Sequence, residues 1–199
     1  MAIVVEHDKR KHEILEKSLD LFCKEGYEDV TFQKIADACG ITRTTLYIYF
    51  KNKREIFLWS IKQLTASLEL ELMETLKDEK LTSEACLRKI LSQCVDACGQ
   101  NSQLFNVLLA YLLQLEKSGI DPAERVQRRI IRLQHLLSTV LIRGQHSGEF
   151  KKVPVKDVNE MLYSLIESAI FRLSVLGQKD IEDVRGSLNL AVDGLLNQK

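Results

Sequence analysis

Proline occurs only twice in these 199 residues and glycine nine times. So little chain-breaking material leaves room for long helices and argues against a loop-rich chain. Cysteine is scarce, odd in number and badly spaced for pairing: Cys23, Cys39, Cys86, Cys94 and Cys98 include no C-x-x-C pair, and His7, His12, His135 and His146 are scattered elsewhere. Neither a disulfide framework nor a zinc site is expected. No run of about 18 uncharged apolar residues is present to cross a membrane. The charged start, with Glu6, Asp8, Lys9, Arg10 and Lys11, leaves no apolar stretch long enough for a secretory signal. The expected compartment is the cytoplasm, with no membrane partner. An excess of either charge is also missing, since 28 Lys and Arg balance 28 Asp and Glu. Affinity for a polyanion must therefore come from where the charges sit. Metal-ligand spacing, nucleophile motifs and a Gly-rich phosphate loop are absent too, which argues against an enzyme and against a resident metal or cofactor.

What the chain does contain is helical periodicity, with 45% apolar and 28% charged residues. An all-α fold of about nine helices is predicted, with no convincing strand. The first helix is expected over about 8–25, with Ile14, Leu15, Leu19, Leu21 and Phe22 on its apolar face and Gly26 at its stop. Thr31 caps a short helix over 32–39 that Gly40 ends, and Thr42 caps another reaching about 49. Asn52 and Glu55 read as a capping box opening a long helix. That helix carries one stripe of Phe57, Ile61, Leu64, Leu68 and Leu72 and a second of Trp59, Ala66, Leu70 and Met73. Two stripes predict packing from two sides. Further helices are expected over about 83–97, 102–117, 121–145, 155–176 and 181–196. The short helices suggest one domain over 1–54, and the long ones a second over 55–199.

Two short helices joined at Gly40 form a helix-turn-helix pattern. Ala36 is small enough for a close crossing, while Ile41 and Leu46 fill the space behind. The second helix should present Arg43, Thr44, Thr45 and Tyr47 outward. Between Ile41 and Arg54 stand four basic residues (Arg43, Lys51, Lys53, Arg54) and no acid. Interleaved with Thr42, Thr45, Tyr47 and Tyr49, they supply groups suited to phosphates and base edges.

Thr31, Ile35, Ala36, Gly40, Ile41, Thr42, Leu46, Tyr47, Tyr49, Phe50, Asn52 and Lys53 fall on a spacing that resembles the N-terminal domain of the TetR family of transcriptional regulators. Ile14, Leu19, Phe22, Gly26 and Tyr27 fit that family's first helix, and Thr44 departs where the family often has Gly or Ala. The resemblance implies a three-helix DNA-binding domain followed by a helical bundle for ligand binding and dimerisation. It also implies a homodimer on a palindromic double-stranded operator, acting as a repressor released by a small apolar effector. By the same resemblance Thr31, Thr42, Tyr47, Tyr49 and Lys53 grip phosphates, and Arg43, Thr44 and Thr45 reach bases. Lys9, Arg10 and Lys11 could add an electrostatic arm. A protein that binds DNA under the control of a protein partner, without a small effector, is the alternative.

The second half carries no signature of its own. Trp59, Phe105, Leu109, Tyr111, Leu112, Leu137 and Phe171 are candidates for an effector pocket. The last two helices have the pattern of a four-helix dimer interface, with Met161, Leu165, Ala169, Leu188, Ala191, Val192 and Leu195 as its seam. Cys86, Cys94 and Cys98 lie on one helical sector, as core residues or a thiol sensor. Arg125, Arg128, Arg129 and Arg132 form a second basic cluster, read as a surface or salt-bridge face.

Overall fold

A computed structural model describes the backbone of residues 2–121 and 123–197, and side chains within those ranges except at 2–5, 123–126 and 128–129. The described residues form nine helices: α1 (Ala2–Glu25), α2 (Phe32–Cys39), α3 (Arg43–Tyr49), α4 (Lys53–Lys77), α5 (Ser83–Gln100), α6 (Ser102–Lys117), α7 (Ala123–His146), α8 (Val155–Ser174) and α9 (Glu182–Leu195). No strand accompanies them among the described residues, and a lone antiparallel bridge joins Phe150 to Leu196. None of these helices is long and apolar enough to cross a membrane.

The residues up to Ser67 pack with Asn106–Gln114 as one compact unit, and Leu68–Phe105 packs with the chain from Leu115 on as another. The chain thus changes unit inside α4. In the first unit Ile14, Phe22, Val30, Ile35, Leu46, Phe50, Ile56 and Phe57 are almost wholly buried. The Phe22 and Phe57 rings meet edge-on at 4.9 Å. Tyr111 of α6 belongs to the same aromatic group, 4.7 Å from Tyr27 and 5.0 Å from Phe57. A buried phenyl ring contributes about 2–3 kcal/mol through apolar area alone, so this cluster is a main anchor of the unit.

In the second unit α5 is the hub, packing on α7, α8 and α9. Its buried face is Cys86, Leu87, Ile90, Leu91, Cys94, Val95 and Cys98. The three cysteines are therefore core residues. Desolvation raises the Cys86 thiol and pushes Cys94 and Cys98 to about 12, which favours the protonated form of all three. Gly144 on α7 is required by space, since a Cβ there would overlap the buried Phe150 ring.

Local expectations and structure differ in three places. The helix expected from about residue 8 already runs from Ala2, so Lys9, Arg10 and Lys11 sit inside α1 and form no arm. Arg10 turns to Glu13, and Lys11 lies over the Phe50 and Trp59 rings. At the start of α4, Asn52 accepts the Glu55 N–H, but the Glu55 carboxylate takes the Lys51 N–H one residue before the expected partner. The second stripe of α4, Trp59, Ala66, Leu70 and Met73, is exposed along its length. Of the distal basic cluster, the side chains of Arg125, Arg128 and Arg129 lie outside the described residues. Arg132 pairs with Glu69 at 2.8 Å.

Candidate nucleic-acid interface

Each helix of the motif is set by a cap. Thr31 Oγ1 accepts the Lys34 N–H at 3.2 Å, and Thr42 Oγ1 accepts the Thr45 N–H at 3.1 Å. Between them Gly40 takes φ 66°, where its lack of a side chain lets the chain reverse. Its N–H and that of Ile41 reach back to the carbonyls of Asp37 and Ala36 at 3.0 Å. Leu46 and Phe50 then pin α3 from behind, both almost wholly buried.

Pinning Leu46 inward decides what faces out. Arg43, Thr44, Tyr47 and Ile48 are exposed, whereas Thr45 and Tyr49 are half-buried. Arg43 Nη2 donates to the Tyr47 hydroxyl at 3.2 Å, and its guanidinium lies 5.7 Å from the Tyr47 ring centroid. The Phe32 ring is half-buried and lies 4.6 Å from that of Tyr47, supporting it from the side. Thr45 shares a 2.8 Å hydroxyl–hydroxyl bond with Thr42, and the His7 ring stacks on Tyr49 at 4.6 Å. Two exposed side chains of α3, Arg43 and Tyr47, are thus held against each other before any ligand arrives.

The four cations of the segment divide into two kinds. Arg43 and Lys51 are exposed. Lys53 Nζ donates to the carbonyls of Tyr27, Glu28 and Val30 at 2.9, 3.0 and 3.0 Å, and lies over the Tyr27 ring. All three ammonium donors are engaged there, so the phosphate grip expected of Lys53 finds no free donor. Lys53 instead ties the turn between α1 and α2 to the start of α4. Arg54 Nε donates to the Tyr111 hydroxyl at 3.0 Å. Burial, the largest cause, pushes the Tyr27 hydroxyl up to about 12, so it stays neutral beside these cations. Replacing Lys53 by Met is expected to cost about 1–2 kcal/mol of stability, because three carbonyls lose a donor. The salt dependence of DNA binding should change by much less than one counterion. Thermal unfolding alongside a salt titration of binding checks both.

Sequence reasoning missed Ile48, and it counted Lys51 among the cations of the segment without giving it a contact of its own. A helical projection from the inward Leu46 would have placed Ile48 outward, one turn after Thr44.

The pocket and seam candidates are distributed differently from expectation. Tyr111 is wholly used in the aromatic cluster of the first unit and Leu137 in the core of the second, so neither is free to line a pocket. In the first unit Trp59 and Leu109 are exposed and Leu112 half-buried; in the second Phe105 is half-buried and Phe171 exposed. A cleft of about 560 Å³ in the second unit is lined instead by groups such as Asp96, Gly99, Lys179, Asp180 and Arg185. Arg185 is paired there with Asp96 and Glu182, so this is a polar, charge-balanced surface. Of the seam, Ala169, Leu188, Val192 and Leu195 are buried in their own unit's core, with Leu165 and Ala191 packed against it. Only Met161 is exposed. The strongest apolar stripes of α8 and α9 are spent inside the unit. Phe171, Val175 and Leu176 on or just beyond α8, with Leu190 on α9, remain uncovered.

Residues 14–58 match the family model described as bacterial regulatory proteins, tetR family. The chain is 25% identical over 189 residues to the fatty acid metabolism regulator protein of Bacillus subtilis, covering 94% of this chain and 95% of that protein. A TetR transcription regulator from Haloarcula marismortui has the same fold, with TM-score 0.79 and 21% identity over 96% of this chain and all of that one (100%). So does the transcriptional regulator FadR from Bacillus subtilis in complex with stearoyl-CoA, with TM-score 0.70 and 22% identity over 92% of this chain and 96% of that one.

Proposed function

We propose that this chain, whose residues 14–58 match the model of the tetR family of bacterial regulatory proteins, is a DNA-binding regulator of transcription, a repressor released from a palindromic operator by an acyl-type effector. The observation that carries the DNA-reading part is the acid-free segment 41–54, whose recognition helix α3 is capped by Thr42 and shows Arg43, Thr44 and Tyr47 to solvent. Residues 1–54 read the DNA in this proposal, and 55–199 hold the effector and the dimer contact. Thr31 accepts a backbone N–H and keeps its hydroxyl proton for a phosphate oxygen, and Thr42 does the same when Thr45 donates in the hydroxyl–hydroxyl bond between them.

Two copies are needed to occupy successive major grooves, roughly 34 Å apart. The face proposed for pairing is the uncovered side of α8 and α9: Met161 and Phe171, with Leu190 between Gly186 and Gly194. A Cβ at either glycine would meet nothing within the chain, so both leave room for a neighbour's backbone.

The acyl-type effector is supported by the similarity along nearly the whole chain to a fatty acid metabolism regulator, and by the fold shared with a regulator structure in complex with stearoyl-CoA. The second unit leaves Leu70, Met73, Ile131 and Ile142 exposed, apolar surface of the kind an acyl chain would cover. Selecting bound duplexes from a randomised pool, then titrating the complex with stearoyl-CoA, shorter acyl-CoA thioesters, free coenzyme A and free fatty acid, tests the whole proposal. Long acyl thioesters should weaken operator binding by about 10- to 100-fold, a coupling of about 1.4–2.7 kcal/mol. Release by none of them would favour control by a protein partner.

A further inference from the structure

We propose that Ile48 reads sequence directly: its side chain contacts the 5-methyl group of a thymine in the major groove and makes that thymine a preferred base of each half-site. The proposal rests on the DNA-binding reading above and adds one base-specific contact to it.

Ile48 is 70% exposed, although the helix that carries it is pinned on its other side by Leu46. A single exposed apolar residue is ordinary on a protein surface. Its place is what gives it meaning. One helical turn separates it from exposed Thr44, and exposed Tyr47 precedes it. The same face carries Arg43, and no carboxylate occurs from Ile41 to Arg54. Every other exposed side chain of that face can hydrogen-bond; Ile48 alone cannot.

An aliphatic group can read only one feature of the major groove, the methyl of thymine, because every other base edge there presents a donor or an acceptor. Thymine offers the methyl group at C5, where cytosine has only a hydrogen and so gives an aliphatic side chain less apolar area to cover. β-Branching also holds Ile in one strongly preferred χ1 rotamer within a helix, so the contact is presented rigidly. Isoleucine is a weaker helix former than Ala, Leu or Lys, so neither helix propensity nor burial accounts for it here.

The test uses the full-length protein and a duplex selected from a randomised pool. Each thymine of the selected site is replaced singly by deoxyuridine, which deletes the methyl and leaves the hydrogen-bonding edge intact. One position per half-site should then bind about 3- to 10-fold more weakly, the worth of one buried methyl. Ile48→Ala should weaken binding to the unmodified site by a similar factor and abolish the deoxyuridine effect at that position alone. Ile48→Val should retain most of it. Since Ile48 is exposed, both variants should melt with the parent protein. Insensitivity of every thymine to loss of its methyl, or an unchanged methyl effect in Ile48→Ala, overturns the proposal while leaving DNA binding intact. Failure of the parent protein to select any sequence overturns the DNA-binding reading, and this proposal with it.

Discussion

Leu188→Asp is expected to unfold the second unit, while Leu190→Asp leaves it folded and breaks the dimer proposed above. The two leucines lie two residues apart on α9 and face opposite environments, 3% and 73% exposed. At Leu188 a carboxylate would be buried without a partner among Ile90, Val184 and Val192, members of the same core cluster. That should cost about 3–5 kcal/mol, a large part of the stability of a single domain. At Leu190 the same carboxylate stays in water in the lone chain and is buried only if a second copy covers it. Circular dichroism melting together with sedimentation separates the two outcomes. Because a dimer holds both half-sites at once, Leu190→Asp should lower affinity for a full operator by about 100-fold or more and leave binding to a single half-site unchanged. A Leu190→Asp protein that still sediments as a dimer would remove this face of α9 from the interface.

Arg43→Ala with Tyr47→Ala should lower operator affinity by about 100-fold or more at physiological salt. A well-placed arginine contributes about 1–3 kcal/mol of discrimination at a base edge. Tyr47 carries that arginine on its ring and hydroxyl and is itself supported by Phe32, so removing both deletes a contact and the device that orients it. Arg43→Lys should rescue little, because an ammonium cannot reproduce the planar guanidinium fork. Lys51→Ala is the counterpart: an exposed point charge whose loss should weaken all sequences alike and reduce the salt slope by about one. Competition between the selected site and random duplex distinguishes the two. Equal losses on both DNAs for the Arg43 variants would place Arg43 on phosphates rather than bases.

The parts of this protein legible in its sequence are those set by neighbours in the chain. Caps at Thr31 and Thr42, the left-handed Gly40 and the period of α2 and α3 are interactions across a few residues, so residue type and spacing suffice to specify them. The helix-turn-helix and the outward placement of Arg43, Thr44 and Tyr47 follow from them. Tertiary structure decided which cations are free and which apolar stripe faces its own chain. Lys53 is engaged by carbonyls some 25 residues away, and Arg54 by a tyrosine 57 residues away. A lysine committed to main-chain carbonyls has the same sequence signature as one aimed at a phosphate. On α8 and α9 an apolar stripe shows only that something covers it. Leu188, Val192 and Leu195 were covered by the helices of their own unit, and Leu190 was left open. Apolar burial has no direction, so periodicity marks the face that is buried and only the assembled fold shows what buries it.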